Sequence, residues 1–186
     1  MLIDDEVKLD YSDVLIRPKR SELTSRFDVE MEKTYTFKWS GKQWTGIPLM
    51  VSNMDVTGTF EMHNEVSRHG IVTCIARMWY NNGQLWNDAE RHNKLCVMSG
   101  ITDHEINEIQ GVKNTYPDIA FVGLDVANGY TVNFVDTVKR LREHLPDSTI
   151  IAGNVVTADM TAELILSGCD VVRVGVGPGS VCTTRI

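Results

Sequence analysis

Residues 119–156 read IAFVGLDVANGYTVNFVDTVKRLREHLPDSTIIAGNVV. The stretch opens on Ile119–Val126, an apolar run suited to burial on both faces. It continues through Val132–Leu145, where Phe134, Val135, Val138 and Leu141 recur at helical intervals and Pro146 closes the helix. It ends on Thr149–Val156, a second apolar run. Two continuous apolar strands joined by an amphipathic helix make a parallel unit, because only a sheet covered on both faces buries strands of that kind.

The same alternation extends in both directions. Upstream lie the runs Ile47–Ser52, Ile71–Ala76 and Leu95–Met98. The helical stretches between them are Thr59–His69 (with Phe60, Met62 and Val66), Asn81–His92 and Asp103–Tyr116. Downstream, a helix over Met160–Ser167 stops at Gly168, a C-cap signal, and Val171–Val176 is the sixth run. Polar and small residues gather at the C-terminal end of nearly every run: Asn53-Met54-Asp55, Arg77, Ser99-Gly100, Asp125 with Asn128-Gly129, Gly153-Asn154 and Gly175–Gly179. A doubly wound sheet concentrates its chemistry at one switch point, whereas a barrel collects it from many strand ends around one mouth. The expected fold is therefore α/β, a (β/α)8 TIM barrel of which about six of eight strand–helix units are present. Residues 47–186 form this partial barrel. Residues 1–46 form an irregular N-terminal segment with short strands. Within it Thr34–Trp39 alternates as a strand, Ser40-Gly41-Lys42 reads as a turn, and Arg17-Pro18-Lys19-Arg20 reads as a solvated basic loop. Six units leave the first and sixth runs as open edges, so the expectation for residues 1–186 alone is poor solubility, oligomerisation or dependence on a partner.

A net charge of −7 over 186 residues argues against non-specific nucleic-acid binding, which needs a basic footprint. It leaves room for a phosphorylated small molecule, whose site is local. The acidic Met1–Glu6 start is no signal peptide, and no apolar run approaches the ~18 residues of a membrane span. Cys74, Cys96, Cys169 and Cys182 form no C-x-x-C, and the histidines form no H-x-x-x-H, so a transition-metal site is not expected. Cys74, Cys96 and Cys169 read as buried small hydrophobes, consistent with a reducing, cytoplasmic setting. Cys182 differs. It follows Gly175-Val176-Gly177-Pro178-Gly179-Ser180 and precedes Thr183-Thr184-Arg185. Such a loop turns sharply, approaches a ligand closely and presents a nucleophile.

These residues resemble a known family. Val174–Arg185 (VGVGPGSVCTTR) is similar to the catalytic cysteine loop of the IMP dehydrogenase/GMP reductase family. So are Asp10–Ser21 (DYSDVLIRPKRS), Val51–Asp55 (VSNMD), Leu124–Tyr130 (LDVANGY) and Ala152–Thr157 (AGNVVT), in the family's order. Gly58–Met62 (GTFEM) and the LDVANGY and GPGSVCTTR segments resemble the reductase branch more closely. The interval from Ala76 to Leu95 has no room for the regulatory CBS modules of the dehydrogenases.

The resemblance implies NADPH-dependent reductive deamination of GMP to IMP and ammonia. In that chemistry the Cys182 thiolate attacks C2 of the purine and forms a covalent thioimidate. Thr184 matches a threonine that works in proton transfer with a glutamate lying beyond residue 186. Ser25, Arg26, Asp125, Val126, Ala127, Val176 and Gly177 carry over as cofactor contacts, and Met54 and Asn154 as substrate contacts. Gly177, Gly179, Cys182 and Arg185 carry over as a potassium site. Where the family's reductases have a histidine–lysine pair, this chain has Ala76-Arg77, which makes Arg77 the expected cation at the cofactor. A homo-tetramer is implied for the complete enzyme. The alternatives are an IMP dehydrogenase without regulatory modules, and an inactive fragment or one part of a split enzyme completed by a second chain.

Overall fold

The computed structural model describes residues 7, 9 and 13–177. Its main element is a six-stranded parallel sheet whose strands follow chain order and curl into a half-barrel. Those strands are β3 (Met50–Val51), β4 (Val72–Ile75), β5 (Leu95–Ser99), β6 (Phe121–Asp125), β7 (Thr149–Val155) and β8 (Val171–Val174). Helices α1 (Phe60–Val66), α2 (Gly83–Asp88), α3 (Asp103–Thr115), α4 (Val132–His144) and α5 (Ala158–Leu166) fill the crossovers. Every crossover helix starts on a side-chain cap: Thr59, Asn82, Thr102, Thr131 and Thr157 each accept from a backbone N–H of the first turn.

Alternation along each strand divides the apolar residues into two cores. Ile75, Val97, Val122, Leu124, Ile150 and Ala152 pack outward against the helices, where Trp86, Phe134, Val138 and Leu141 meet them. Val72, Cys74, Cys96, Met98, Phe121 and Ile151 form a smaller cluster on the other side. That concave side needs room. A Cβ on Gly123 would collide with the Met98 sulfur and lie 3.0 Å from the Ile151 carbonyl oxygen.

The N-terminal ends of the strands are covered by an antiparallel hairpin, β1 (Lys33–Thr36) with β2 (Gln43–Gly46). β2 extends the short-strand reading of the N-terminal segment, since only its partner and the turn were expected. The hairpin is joined firmly to the sheet. Phe37 and Trp44 pack edge-on against Phe121, with ring centroids 5.7 and 6.0 Å away. Trp39 Nε1 donates to the Ile165 carbonyl at 2.8 Å.

Two elements are shorter than the sequence suggests. The run Ile47–Ser52 contributes only Met50–Val51 to the sheet, because Pro48 has no N–H to give and the Leu49 N–H turns back to the Ile47 carbonyl. The helical pattern over Asn81–His92 yields Gly83–Asp88 between single 3-10 turns at Arg77–Trp79 and His92–Lys94. Tertiary contacts take the chain away from the helix there. Glu90 receives His63 on its carbonyl and donates its N–H to Asn64, and Arg91 adopts φ 52°.

Candidate active site at the C-terminal ends of the strands

Asp125 is the last residue of β6 and points into the concave side of the sheet. It accepts a hydrogen bond from Asn53 Nδ2 at 2.8 Å and pairs with Arg173 Nη1 at 2.7 Å. Arg173 also reaches Asn53 Oδ1 at 3.4 Å. The group thus ties together the loop after β3, the end of β6 and the middle of β8. Its space is provided by Gly153 on the intervening strand, where a Cβ would stand 2.6 Å from both Cβ and O of Arg173. The pair is partly open, with Arg173 31% and Asp125 26% exposed, so the carboxylate keeps acceptor capacity toward the concave side. Asp125 is no helix cap, since Thr131 caps the following helix.

The neighbouring loop is fixed by backbone. Val126 N–H donates to the Gly153 carbonyl and Asn154 N–H to the Val126 carbonyl, both at 2.9 Å, and Gly129 N–H donates to the Asn154 carbonyl at 3.0 Å. The Asn154 side-chain oxygen is buried with no hydrogen-bond partner. A buried acceptor without a donor is costly, and a ligand N–H or O–H removes that cost. Tyr130 closes the arrangement. Its hydroxyl accepts from the N–H groups of Val156 and Thr157 at 2.8 and 2.9 Å and donates to Thr157 Oγ1 at 3.1 Å. Desolvation works to raise the Tyr130 pKa, but these hydrogen bonds outweigh it and lower the value.

The structure brings Asp125, Val126 and Asn154 to one place. Ala127 lies exposed on the same loop. Val176 and Gly177 follow β8 after Gly175, whose N–H is held by the Val155 carbonyl at 2.8 Å and whose φ of 129° favours glycine. Met54 is 60% exposed, so it is not a core residue; its carbonyl anchors the turn to Thr57 and Gly58. Ser25 caps the short turn Arg26–Asp28 through a capping box, and the Arg26 guanidinium lies 5.8 Å from the Phe27 ring centroid. The half-exposed Arg77 guanidinium pairs with Glu105, which also closes the capping box of α3 with Thr102. Burial favours the protonated Glu105, yet the Thr102 hydrogen bonds and the Arg77 charge prevail and hold its carboxyl below the usual range. Cys182, Thr184, Gly179 and Arg185 lie outside the described residues, so of the potassium positions only Gly177 is described.

Asn53, Arg173 and Tyr130 were not singled out from the sequence. Arg173 had a readable signal, as the only charge inside the apolar run Val171–Val176. Asn53 was visible only as part of the polar cluster ending the first run and of VSNMD, and Tyr130 only through its presence in LDVANGY. The acceptor set fits a nicotinamide nucleotide: the Asp125 carboxylate on the concave side can take hydroxyl or carboxamide N–H groups, and the Asn154 amide oxygen nearby is without a donor among the described residues. Among the described residues no cluster of three or more His, Cys, Asp or Glu could hold a metal ion. No described helix is long and apolar enough to cross a membrane.

A family model described as the IMP dehydrogenase / GMP reductase domain matches residues 8–186. The chain is 47% identical to GMP reductase 1 of Homo sapiens over 98% of this chain and 54% of that protein. It is also 47% identical to a GMP reductase of Klebsiella pneumoniae over 100% of this chain and 55% of the relative. A crystal structure of inosine 5' monophosphate dehydrogenase from Legionella pneumophila superposes with a TM-score of 0.78 at 29% identity, covering 95% of this chain and 53% of that one. The chain spans about half the length of the curated relatives it matches.

Proposed function

The chain belongs to the IMP dehydrogenase/GMP reductase family, and on that premise we propose that it carries the catalytic-cysteine portion of a GMP reductase, which converts GMP to IMP and ammonia. The observation carrying this reading is the Asn53–Asp125–Arg173 group beside the unpartnered Asn154 oxygen, at the strand ends that lead into the Gly175–Gly177 turn before Cys182. The reductase branch is favoured by the relatives at 47% identity and by the short β4–β5 interval, which holds only α2 and two single turns.

In this reading the Cys182 sulfur forms a bond to C2 of the purine. The exocyclic amine leaves as ammonia, with its proton delivered through Thr184. When bound, NADPH supplies the hydride that C2 receives, after which the carbon–sulfur bond breaks and the thiolate returns. Asp125 accepts hydrogen bonds from the cofactor, with Arg173 and Asn53 fixing the carboxylate so that no reorientation is needed on binding. Asn154 accepts from the purine or the carboxamide. Ser25, Arg26, Val126, Ala127, Val176 and Gly177 complete the cofactor contacts, and Met54 flanks the purine. Arg77, paired with Glu105 through one nitrogen, has donors left for the cofactor. Gly177, Gly179, Cys182 and Arg185 would hold potassium, which needs only oxygen ligands. The complete enzyme is a cytoplasmic homo-tetramer in this reading; the buried thiols of Cys74, Cys96 and Cys169 suit a reducing compartment.

The test is product analysis with GMP and NADPH against IMP and NAD, for this chain alone and with the remaining half of a reductase relative added as a second polypeptide. IMP and ammonia formation that disappears in Cys182→Ala while GMP still binds supports the proposal. NADH formation from IMP would replace it with the dehydrogenase reading. Turnover within tenfold in Cys182→Ala would remove the nucleophile assignment.

A further inference from the structure

The opposite face of the sheet, where the strands begin, holds a cleft of about 400 Å³ between the hairpin and the starts of β5 and β6. Its lining includes Phe37, Trp44, Lys42, Lys94 and Asn93. Lys113 stands behind the wall, donating to the carbonyls of the lining residues Pro117 and Ile119. In a chain of net charge −7, three cations gathered at one cleft are a local inversion of the molecule's field.

Carboxylates stand near two of these cations, Glu32 by Lys94 and Asp118 by Lys113, without closing on them. Among the described residues none of Lys42, Lys94 and Lys113 forms an ion pair. Lys94 spends one donor on the Thr45 carbonyl and rests 4.6 Å above the Trp44 ring. Desolvation lowers the pKa of Lys94 against the opposing charge of Glu32, and desolvation together with the Lys42 charge lowers that of Lys113 against the opposing charge of Asp118. Independently, the Trp44 indole N–H is buried with no acceptor among the described residues. Charged and neutral donors thus belong to residues of one cleft, and among the described residues Asp118 is its only lining carboxylate. A desolvated cation and a buried N–H each cost free energy until an acceptor arrives.

We propose that this cleft is a binding site for a phosphate-type oxyanion, held by Lys42 and Lys94 beside Trp44 and remote from the strand ends that carry Asp125. The anion is either inorganic phosphate or the phosphate of a nucleotide whose flat base lies along the aromatic wall.

The experiment is a titration of the isotopically labelled chain with inorganic phosphate, followed by the indole N–H resonances and by calorimetry. Trp44→Phe identifies the Trp44 signal. The expected result is saturable binding with Kd on the order of 1 mM or tighter and a shift of the Trp44 indole resonance that tracks it. Lys42→Glu combined with Lys94→Gln weakens binding about tenfold or more, while Asp125→Asn leaves it unchanged. A nucleoside monophosphate that binds more tightly than phosphate, with the same Trp44 shift, assigns the nucleotide; equal affinity assigns the free anion. Absence of saturable binding, or binding that leaves the Trp44 resonance still, overturns the proposal. The resonance arm uses the unsubstituted chain, so it decides even if the double variant misfolds.

Discussion

Asp170 and Asp125 each pair with an arginine, at opposite ends of the same sheet, and the two pairs are built to different rules. Asp170 precedes β8 on the hairpin side, and its side chain is 0% exposed. Arg142 Nη2 donates to it at 2.6 Å, the Ile150 N–H at 3.1 Å, and the Trp39 and Ser40 N–H groups at 2.8 and 3.4 Å. Arg142 spends its other donors on the carbonyls of Leu145, Pro146, Ser148 and Gly168. Both carboxylate oxygens have two donors, and Nε, Nη1 and Nη2 of Arg142 each have an acceptor, so the pair has little left to offer a ligand and pins the end of α4, the start of β8, β7 and the hairpin turn together. Among the described residues Asp125 has only Asn53 and Arg173; it remains partly open and lies at the strand-end mouth of the half-barrel. A saturated buried pair carries stability, and an unsaturated one at a strand end is available for binding.

The sharpest way to break this contrast is to remove each carboxylate. Asp170→Ala leaves the Arg142 charge buried and uncompensated. A loss of about 3–5 kcal/mol is expected, which lowers Tm by on the order of 10 °C in a thermal melt followed by circular dichroism. A loss below about 1 kcal/mol would show that the partners relax and that saturation is not what matters.

Asp125→Asn is expected to do the reverse. It keeps the shape and the Asn53 contact but loses the charge-assisted bond to Arg173 and to a ligand. In the complete or complemented enzyme kcat/KM for GMP turnover falls about 100-fold, roughly 2.7 kcal/mol of barrier, with Tm within about 2 °C of the original. A melt that drops as far as for Asp170→Ala would make both pairs structural.

Gly153→Ala tests whether the open pair depends on space. The new Cβ meets the Cβ and carbonyl oxygen of Arg173, and backbone cannot swing aside as a side chain can. Destabilisation of about 1–3 kcal/mol is expected, with an activity loss beyond what folding explains, because Arg173 is displaced from Asp125. Denaturant unfolding and kinetics on the same sample separate the two effects. Loss of stability with full activity would show that Arg173 needs no fixed position.

The smallest effect extends the comparison to a half-satisfied group. His63 is buried in α1, with Nε2 on the Glu90 carbonyl at 2.5 Å and Nδ1 unpartnered. Burial is the main cause that lowers its pKa from the ordinary 6.5. Above 6.5 the ring is neutral in both folded and unfolded chains. As pH falls below 6.5 the unfolded chain takes up the proton first, so folding stability declines until the folded pKa is passed. His63→Gln is expected to flatten that part of a Tm-against-pH profile. An unchanged slope would assign it to other groups.

The contrast also marks what could be read without coordinates. Asp125 was legible because a carboxylate ending an apolar run is out of place in a strand, and Asn154 for a similar reason. Asp170 was not, because an aspartate between a helix stop at Gly168 and a strand looks like any loop residue; its role depends on Arg142, 28 positions earlier, and on the hairpin turn 131 positions earlier. Arg77 shows the converse. Its place after β4 suggested a ligand-facing cation, and only the fold sets Glu105 beside it. The length of α2 was misjudged for the same reason, since His63 and Asn64 hold residue 90 out of the helix.

By itself the sequence determined the alternation of strand and helix, the parallel sheet and the end of each strand at which polar residues collect. These follow from local periodicity, capping and the need to bury both faces of a strand. It also carried the family resemblance in segments strung along the chain. Only the tertiary structure decided which charges pair, which polar atoms are left without partners, and that the hairpin covers the N-terminal ends of the strands. Those outcomes depend on side chains far apart in sequence meeting at short range, where burial multiplies the cost of every unsatisfied group.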